Sequence, residues 1–207
     1  MLIAVIANDL LKEEMLAQGL VAGVQVHWLN EIKAIPGADC YIDLLYTPTT
    51  ERTDLLKKLE PAIIIVNTVT NTLNTLPENF IRINGWPGFL KRSITEAAGN
   101  NSEAKINAEK ILNCFNKKTE WVPDIAGFIA ARVISMIINE AYFALDEKVS
   151  TKEEIDTAMK LGTNYPYGPF EWSEKIGLEK VTELLVELAK TNPRYEPAAL
   201  LKKQVLI

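Results

Sequence analysis

The first 120 residues alternate short apolar runs with helical segments, and this alternation constrains the fold more than any other feature. The clearest runs are residues 2–7 and 62–66, which are apolar without interruption. Continuous apolar runs of this length are typical of strands that are buried on both faces of a parallel sheet. Strands that alternate with helices favour parallel pairing through right-handed crossovers. The sequence therefore predicts an α/β domain with an open parallel sheet.

The remaining elements of this half are predicted from shorter patterns. Further strands are expected at 24–29, 39–45 and 80–83, and helices at 10–20, 51–59 and 102–116. The helix at 102–116 has a candidate N-cap at Asn101 or Ser102, since both residue types accept the unpaired N–H groups of a first helical turn.

The pattern changes between residues 119 and 123, and no strand is predicted after Val122. The segment 127–148 is apolar all round its middle, which predicts a buried helix. A capping box from Ser150 to Glu153 starts a helix that ends at Gly162. A third helix opens at Gly177, and a short last one follows Pro197. We therefore expect two domains, 1–120 and 121–207.

Composition narrows the function classes. The net charge of -5 argues against nucleic acid as a partner, because binding to phosphates requires a basic face. No run of 18 apolar residues is present, so no membrane span is expected, and the first residues lack the basic region of a secretory signal. Cys40 and Cys114 are too few for a metal knot and are interpreted as free thiols in a reducing compartment. The expected location is cytoplasmic, with no metal site.

Several motifs in the second half occur in a fixed order. Residues 124–132 read D-I-A-G-F-I-A-A-R, 154–162 read E-I-D-T-A-M-K-L-G, and 165–171 read Y-P-Y-G-P-F-E. Gly and Pro set turns and Phe fills a core, which explains each motif singly but not their shared order. Together they resemble the carboxy-terminal domain of 3-hydroxyacyl-CoA dehydrogenases. The resemblance extends more weakly over 1–120, and it implies a truncated Rossmann-like sheet domain followed by an all-α domain.

The resemblance implies NAD, held by a glycine-rich turn after the first strand. Glycines there let the backbone approach the pyrophosphate, which rests on a helix N-terminus. The equivalent positions in this chain are Ala7, Asn8 and Asp9, none of which is glycine. A carboxylate at residue 9 would repel a pyrophosphate. Asn30 or Glu31 remains as a ribose ligand, but we expect no NAD binding in the family's manner.

The family's catalytic positions are also changed. The resemblance places its general-base His at Asn84 and the carboxylate partner of that His at Glu96. An amide cannot accept a proton near pH 7. Asn67 matches an Asn of the cofactor site, whereas Val69 stands in place of a substrate-binding Ser and Ala131 in place of an Asn. Glu96 is interpreted as a surface or cap carboxylate, with a retained function as the alternative.

Other candidate groups have simpler interpretations. His27 is expected to be solvated on the second strand, and Ser93 and Thr95 have no histidine base nearby. Lys91 and Arg92 could contact coenzyme A phosphates, but exposed basic pairs usually serve solubility. The aromatic side chains are expected to pack at the domain junction; they are Trp86, Tyr142, Tyr165, Tyr167, Phe170 and Trp172.

Two function classes follow from the resemblance. The first is an acyl-CoA-binding or regulatory homologue of fatty-acid metabolism without dehydrogenase chemistry. The second is an active oxidoreductase that converts 3-hydroxyacyl-CoA to 3-ketoacyl-CoA with a rebuilt site, in which Glu96 is the base. In both, the apolar helix at 127–148 predicts a homodimer through the carboxy-terminal domain, with cover by the α/β domain alone as the alternative.

Overall fold

The computed structural model describes residues 1–205, which form two compact units, Met1–Phe128 and Ile129 onward. The first unit contains seven strands: β1 (Leu2–Ile6), β2 (Gln25–Leu29), β3 (Cys40–Asp43), β4 (Ile63–Asn67), β5 (Ile81–Ile83), β6 (Ile94–Ala98) and β7 (Lys118–Trp121). Its helices are α1 (Asp9–Leu16), α2 (Thr50–Lys57) and α3 (Ser102–Asn113). The predicted α/β architecture is confirmed.

The seven strands form one sheet in the order β2-β1-β3-β4-β5-β6-β7. All neighbouring pairs are parallel except β5 and β6, which are antiparallel. Strand β2 pairs with one edge of β1, and β3 pairs with its other edge. In open α/β sheets, the crevice at the carboxyl ends of two such strands is the usual place for a ligand.

Helices cover both faces of the sheet, as the apolar runs require. Ile3 and Val5 point to one face, where they pack with residues of α1 and α3, including Met15 and Leu112. Ala4 and Ile6 point to the other face, where Leu56 of α2 is fully buried. This alternation along β1 follows the period of two of a strand.

The second unit is helical throughout its described part. Its helices are α4 (Ala130–Asp146), α5 (Lys152–Thr163), α6 (Pro169–Ile176), α7 (Leu178–Ala189) and α8 (Ala199–Val205). One face of α4 is buried and includes Ile134 and Ile138, whereas Val133 and Phe143 are 50% and 39% exposed. One chain therefore does not bury the whole of α4, and the exposed side is the surface that a second copy is expected to cover.

Several sequence-based predictions are corrected. Strands β6 and β7 were not predicted, and α6 was interpreted only as a corner. The capping box of α5 uses Thr151 and Glu154, one residue later than predicted. The domain boundary predicted after residue 120 lies inside β7, so that residues 121–128 pack with the first unit.

Two further observations bear on the composition arguments. Cys40 and Cys114 are both buried and free, as predicted. Within residues 1–205, no helix is both long enough and apolar enough to cross a lipid bilayer.

Candidate functional site

The polar residues singled out from the sequence collect at the carboxyl edge of the parallel strands. Asn8 follows β1, Asn30 follows β2, Asn67 ends β4 and Asn84 follows β5. Since the carboxyl ends of parallel strands lie on the same edge of a sheet, the topology brings these residues to one side of the first unit.

The turn between β1 and α1 is stabilised by the side chain of a residue within it. Asn8 is the N-cap of α1, and its Oδ1 accepts the backbone N–H of Leu11 at 3.0 Å. That N–H is one of the donors that a helix N-terminus offers to an anion. Ala7 is buried, and Asp9 adds an exposed carboxylate to the first helical turn. These residues do not fit a pyrophosphate bound at a glycine-rich turn.

An ion pair that the sequence analysis missed lies at the end of β3, next to this turn. Asp43 is fully buried, and Arg52 of α2 donates to both of its oxygens, from Nε at 2.7 Å and from Nη2 at 2.8 Å. Burial raises the pKa of Asp43, and the hydrogen bond and charge of Arg52 oppose that rise. An acidic residue inside an apolar run was the available signal, since buried carboxylates are rare without a partner.

Asn67 binds the backbone on both sides of the carboxyl edge. Its Nδ2 donates to the carbonyl oxygens of Leu44 and Gly85, each at 3.1 Å, and its Oδ1 accepts the Gly85 N–H at 2.9 Å. A Cβ at residue 85 would lie 2.8 Å from Asn67 Cγ, so that only glycine fits there as the chain stands. The side chain of Asn67 is therefore committed to holding the backbone in place.

The structure brings Asn84 and Glu96 together. In the β5–β6 register Ile83 lies opposite Ala97, and the next pair outward is Asn84 with Glu96. The Asn84 N–H donates to the Glu96 carbonyl at 3.0 Å, and Asn84 Nδ2 donates to Glu96 Oε2 at 2.9 Å. Asn84 is buried and Glu96 is half-buried. Glu96 is therefore a strand residue with a specific partner, not the surface or cap carboxylate that we predicted.

One cation lies close enough to this pair to affect its electrostatics. Burial lowers the pKa of Arg92, and the charge of Glu96 opposes that effect. The guanidinium of Arg92 stacks over the ring of Phe89 at 4.5 Å from its centroid. Arg92 is thus held by the ring of Phe89 and lies within reach of the charge of Glu96.

The other changed positions are apolar and buried. Val69 is 3% exposed and Ala131 is fully buried, so neither side chain can hold a substrate oxygen by a hydrogen bond. His27 is exposed on β2, as predicted, and Asn30 and Glu31 are exposed after that strand.

A second buried charge missed from the sequence is Arg82 of β5. It donates to the carbonyl oxygens of Asn71 and Ile125, and its guanidinium lies 4.1 Å from the ring centroid of Phe128. Burial lowers its pKa to about 10, and the charge of Asp124 opposes the effect. These contacts fix the D-x-x-G-F segment that leads into α4, where Asp124 Oδ2 also accepts the Leu73 N–H at 2.9 Å.

Comparison with known proteins agrees with this architecture. Residues 127–206 match the family model described as 3-hydroxyacyl-CoA dehydrogenase, C-terminal domain. A probable 3-hydroxybutyryl-CoA dehydrogenase of Deinococcus radiodurans is 36% identical over 197 residues, which cover 87% of this chain and 71% of that protein. The 3-hydroxyadipyl-CoA dehydrogenase of Escherichia coli K12 is 30% identical over 210 residues, which cover 96% of this chain.

This chain spans only part of some relatives, 44% of the Escherichia coli protein and 64% of a probable 3-hydroxybutyryl-CoA dehydrogenase of Bacillus subtilis. The fold is also that of the (S)-3-hydroxybutyryl-CoA dehydrogenase from Ralstonia eutropha, with a TM-score of 0.74 at 19% identity over 99% of this chain and 93% of that chain. The ordered motifs, the sheet and the sequence identity lead to one conclusion: the chain belongs to the 3-hydroxyacyl-CoA dehydrogenase family.

Proposed function

We propose that this protein binds acyl-CoA thioesters without catalysing their dehydrogenation, as an acyl-CoA-binding or regulatory homologue of the enzymes of fatty-acid metabolism. The observation that carries the proposal is the hydrogen bond from Asn84 Nδ2 to Glu96 Oε2 at 2.9 Å. Oxidation of a secondary alcohol requires a group that accepts the hydroxyl proton. In this pair an amide N–H faces the carboxylate, and an amide has no basic nitrogen near pH 7.

The β1–α1 turn supports the same proposal from the cofactor side. A hydride acceptor such as NAD would have to displace the Asn8 cap from Leu11 N and accept the charge of Asp9 beside its pyrophosphate. Both changes weaken binding, because the anion loses a donor and gains a like charge. We therefore propose that NAD is not a bound cofactor of this chain.

Thioester binding and turnover test the proposal together. Titration calorimetry with acetoacetyl-CoA should show saturable binding, and 3-hydroxybutyryl-CoA with NAD should yield no measurable NADH absorbance. Losing the base and the electrostatic support should together cost at least about 10⁴ in rate relative to an ordinary dehydrogenase. Binding of no CoA thioester at all would remove the proposal.

The second candidate is an active oxidoreductase with a rebuilt site, favoured by the half-buried carboxylate of Glu96, which can accept a proton. In that case the purified protein would turn over several times per second, and Glu96→Gln would abolish the activity. The variant Glu120→Gln, at an exposed position of neighbouring β7, is the matched control and should leave activity unchanged.

We also propose a homodimer that forms through residues 124–207. Its support is the apolar face that α4 leaves exposed, with Ile129 at 56% and Val133 at 50%. Apolar side chains that line one side of a helix in this way mark an interaction surface.

A further inference from the structure

The connection between β5 and β6, residues 84–93, is buried over its first seven residues although it has little regular structure. Every residue from Asn84 to Leu90 is buried. Connections normally lie at the surface, because their backbone groups need hydrogen-bond partners that a core does not supply. The polar partners of this connection therefore have to be built into the fold.

The partners near β5 are two asparagines. Asn67 satisfies both backbone groups of Gly85, and Asn84 Oδ1 accepts the Trp86 N–H at 3.4 Å. Beyond them, Phe89 N–H and Leu90 N–H both donate to the Trp86 carbonyl, which makes one tight turn.

The backbone groups of residues 88–92 are bound by two buried charged side chains from distant parts of the chain. Glu14 of α1 is 6% exposed, and both of its carboxylate oxygens lie 2.8 Å from the Gly88 nitrogen. Lys117, fully buried just before β7, donates from Nζ to the Leu90 carbonyl and, at 2.8 Å, to the Arg92 carbonyl. An acceptor thus meets the N–H, and a donor meets the two carbonyl groups.

Each charge is held in the core by backbone groups of the connection. Removal of either side chain leaves buried backbone groups of the connection without a hydrogen-bond partner, which is destabilising. Burial lowers the pKa of Lys117, and the charge of Glu14 opposes that effect. Gly88 has a φ of 87°, which directs its N–H to Glu14 in a conformation that side chains disfavour.

We propose that Glu14 and Lys117 are positioning residues, which hold the β5–β6 connection and through it place Asn84 against Glu96. Where the inference concerns ligand binding it rests on the proposed function; where it concerns the order of the connection it does not. Since α1 begins at Asp9, Glu14 also ties the β1–α1 turn to this connection through a single helix.

Hydrogen–deuterium exchange of peptides that cover residues 84–93 tests the positioning directly. Glu14→Gln keeps an acceptor oxygen but removes the charge, so exchange of this region should accelerate about tenfold or more. Glu13→Gln, at the exposed neighbour, is the matched control and should leave exchange unchanged. Lys117→Met and Lys118→Met form a second matched pair, because Lys118 is exposed.

The double variant Glu14→Gln with Lys117→Met separates positioning from loss of folding. Because each side chain binds different backbone groups of the connection, exchange of residues 84–93 should be at least as fast in the double variant as in either single variant, while peptides of α2 keep their wild-type exchange. Equal exchange in wild type and Glu14→Gln, or an acceleration in α2 as large as that in residues 84–93, would overturn the inference.

Titration with acetoacetyl-CoA adds the readout of the site itself. Glu14→Gln should weaken binding about fivefold or more, whereas Glu13→Gln should not. If wild type binds no thioester, the proposed function fails while the exchange experiment still decides the positioning. Unchanged affinity in Glu14→Gln, with the connection loosened, would show that the connection does not place the ligand site.

Discussion

The carboxylate of Asp156 in α5 accepts the backbone N–H of Phe170, in the first turn of α6, at 2.8 Å. Its second oxygen accepts the Glu171 N–H at 3.2 Å. The side chain thus caps the N-terminus of α6 from a neighbouring helix, where a negative charge is favourable. Two of the motifs that identify the family are therefore halves of one contact, which explains their fixed order along the chain.

This contact predicts that Gly168→Ala destabilises the protein. A Cβ at residue 168 would lie 2.3 Å from Asp156 Oδ1 and 2.4 Å from its Cγ, and the short Asp156 side chain cannot move away without losing its hydrogen bonds. We expect a loss of about 2–4 kcal/mol in the free energy of unfolding, measured in urea. Gly162→Ala is the control, because a Cβ there meets no atom within 4 Å. A variant Gly168→Ala as stable as that control would contradict the account.

The β1–α1 turn predicts weak dinucleotide binding. Asn8 accepts the Leu11 N–H, and Asp9 adds a carboxylate to the first turn. The dissociation constants of NAD and NADH should therefore exceed about 1 mM, which corresponds to a binding free energy weaker than about 4 kcal/mol. Titration calorimetry measures both ligands directly. Micromolar binding of NADH would show that the turn opens for the pyrophosphate.

The buried lysine predicts a pH dependence with a definite sign. Burial lowers the pKa of Lys117 from its ordinary 10.5 to about 8. Between these two values the unfolded chain binds the proton more tightly, so the free energy of unfolding rises as the pH increases. The stability of wild type minus that of Lys117→Met should therefore increase by about 1–3 kcal/mol from about pH 7 to about pH 10. A fall in this difference over the same pH range would contradict the sign.

The exposed face of α4 predicts self-association. Light scattering should give about twice the chain mass at micromolar concentration, with an interface of at least about 1,000 Å². Val133→Glu, which places a charge on that face, should shift the protein to monomer. Leu161→Glu is the matched control, since Leu161 is 83% exposed on a different helix. A monomeric wild type would remove the dimer proposal.

The sequence was most informative where apolar runs are long. Residues 2–7 and 62–66 were predicted as strands and are strands to within a residue or two. Continuous apolar runs of this length are typical of strands that are buried on both faces. By contrast β6 reads I-T-E-A-A and β7 reads K-T-E-W, which lack such a run. These strands form through pairing with their neighbours, a long-range effect that local propensity does not report.

The same limit applied to the candidate site. The spacing of Asn84 and Glu96 suggested a pair from the family resemblance, but their hydrogen bond follows from the antiparallel register of a strand that was not predicted. The partners of Glu14 lie 74 positions away in the sequence, at Gly88. No local pattern identifies an acid of an amphipathic helix as the ligand of a distant backbone amide.

For protein engineering, Asn67 and Gly85 have to be varied together. If residue 85 alone is varied, only glycine will be compatible with the fold, because the amide of residue 67 already fills the volume that any side chain there would need. Shortening residue 67 to Ala opens that volume but leaves two backbone groups of residue 85 and one carbonyl of Leu44 without a donor or acceptor. Productive variation at this edge of the sheet therefore requires paired substitutions, in which the newcomer at 85 brings its own hydrogen-bonding groups.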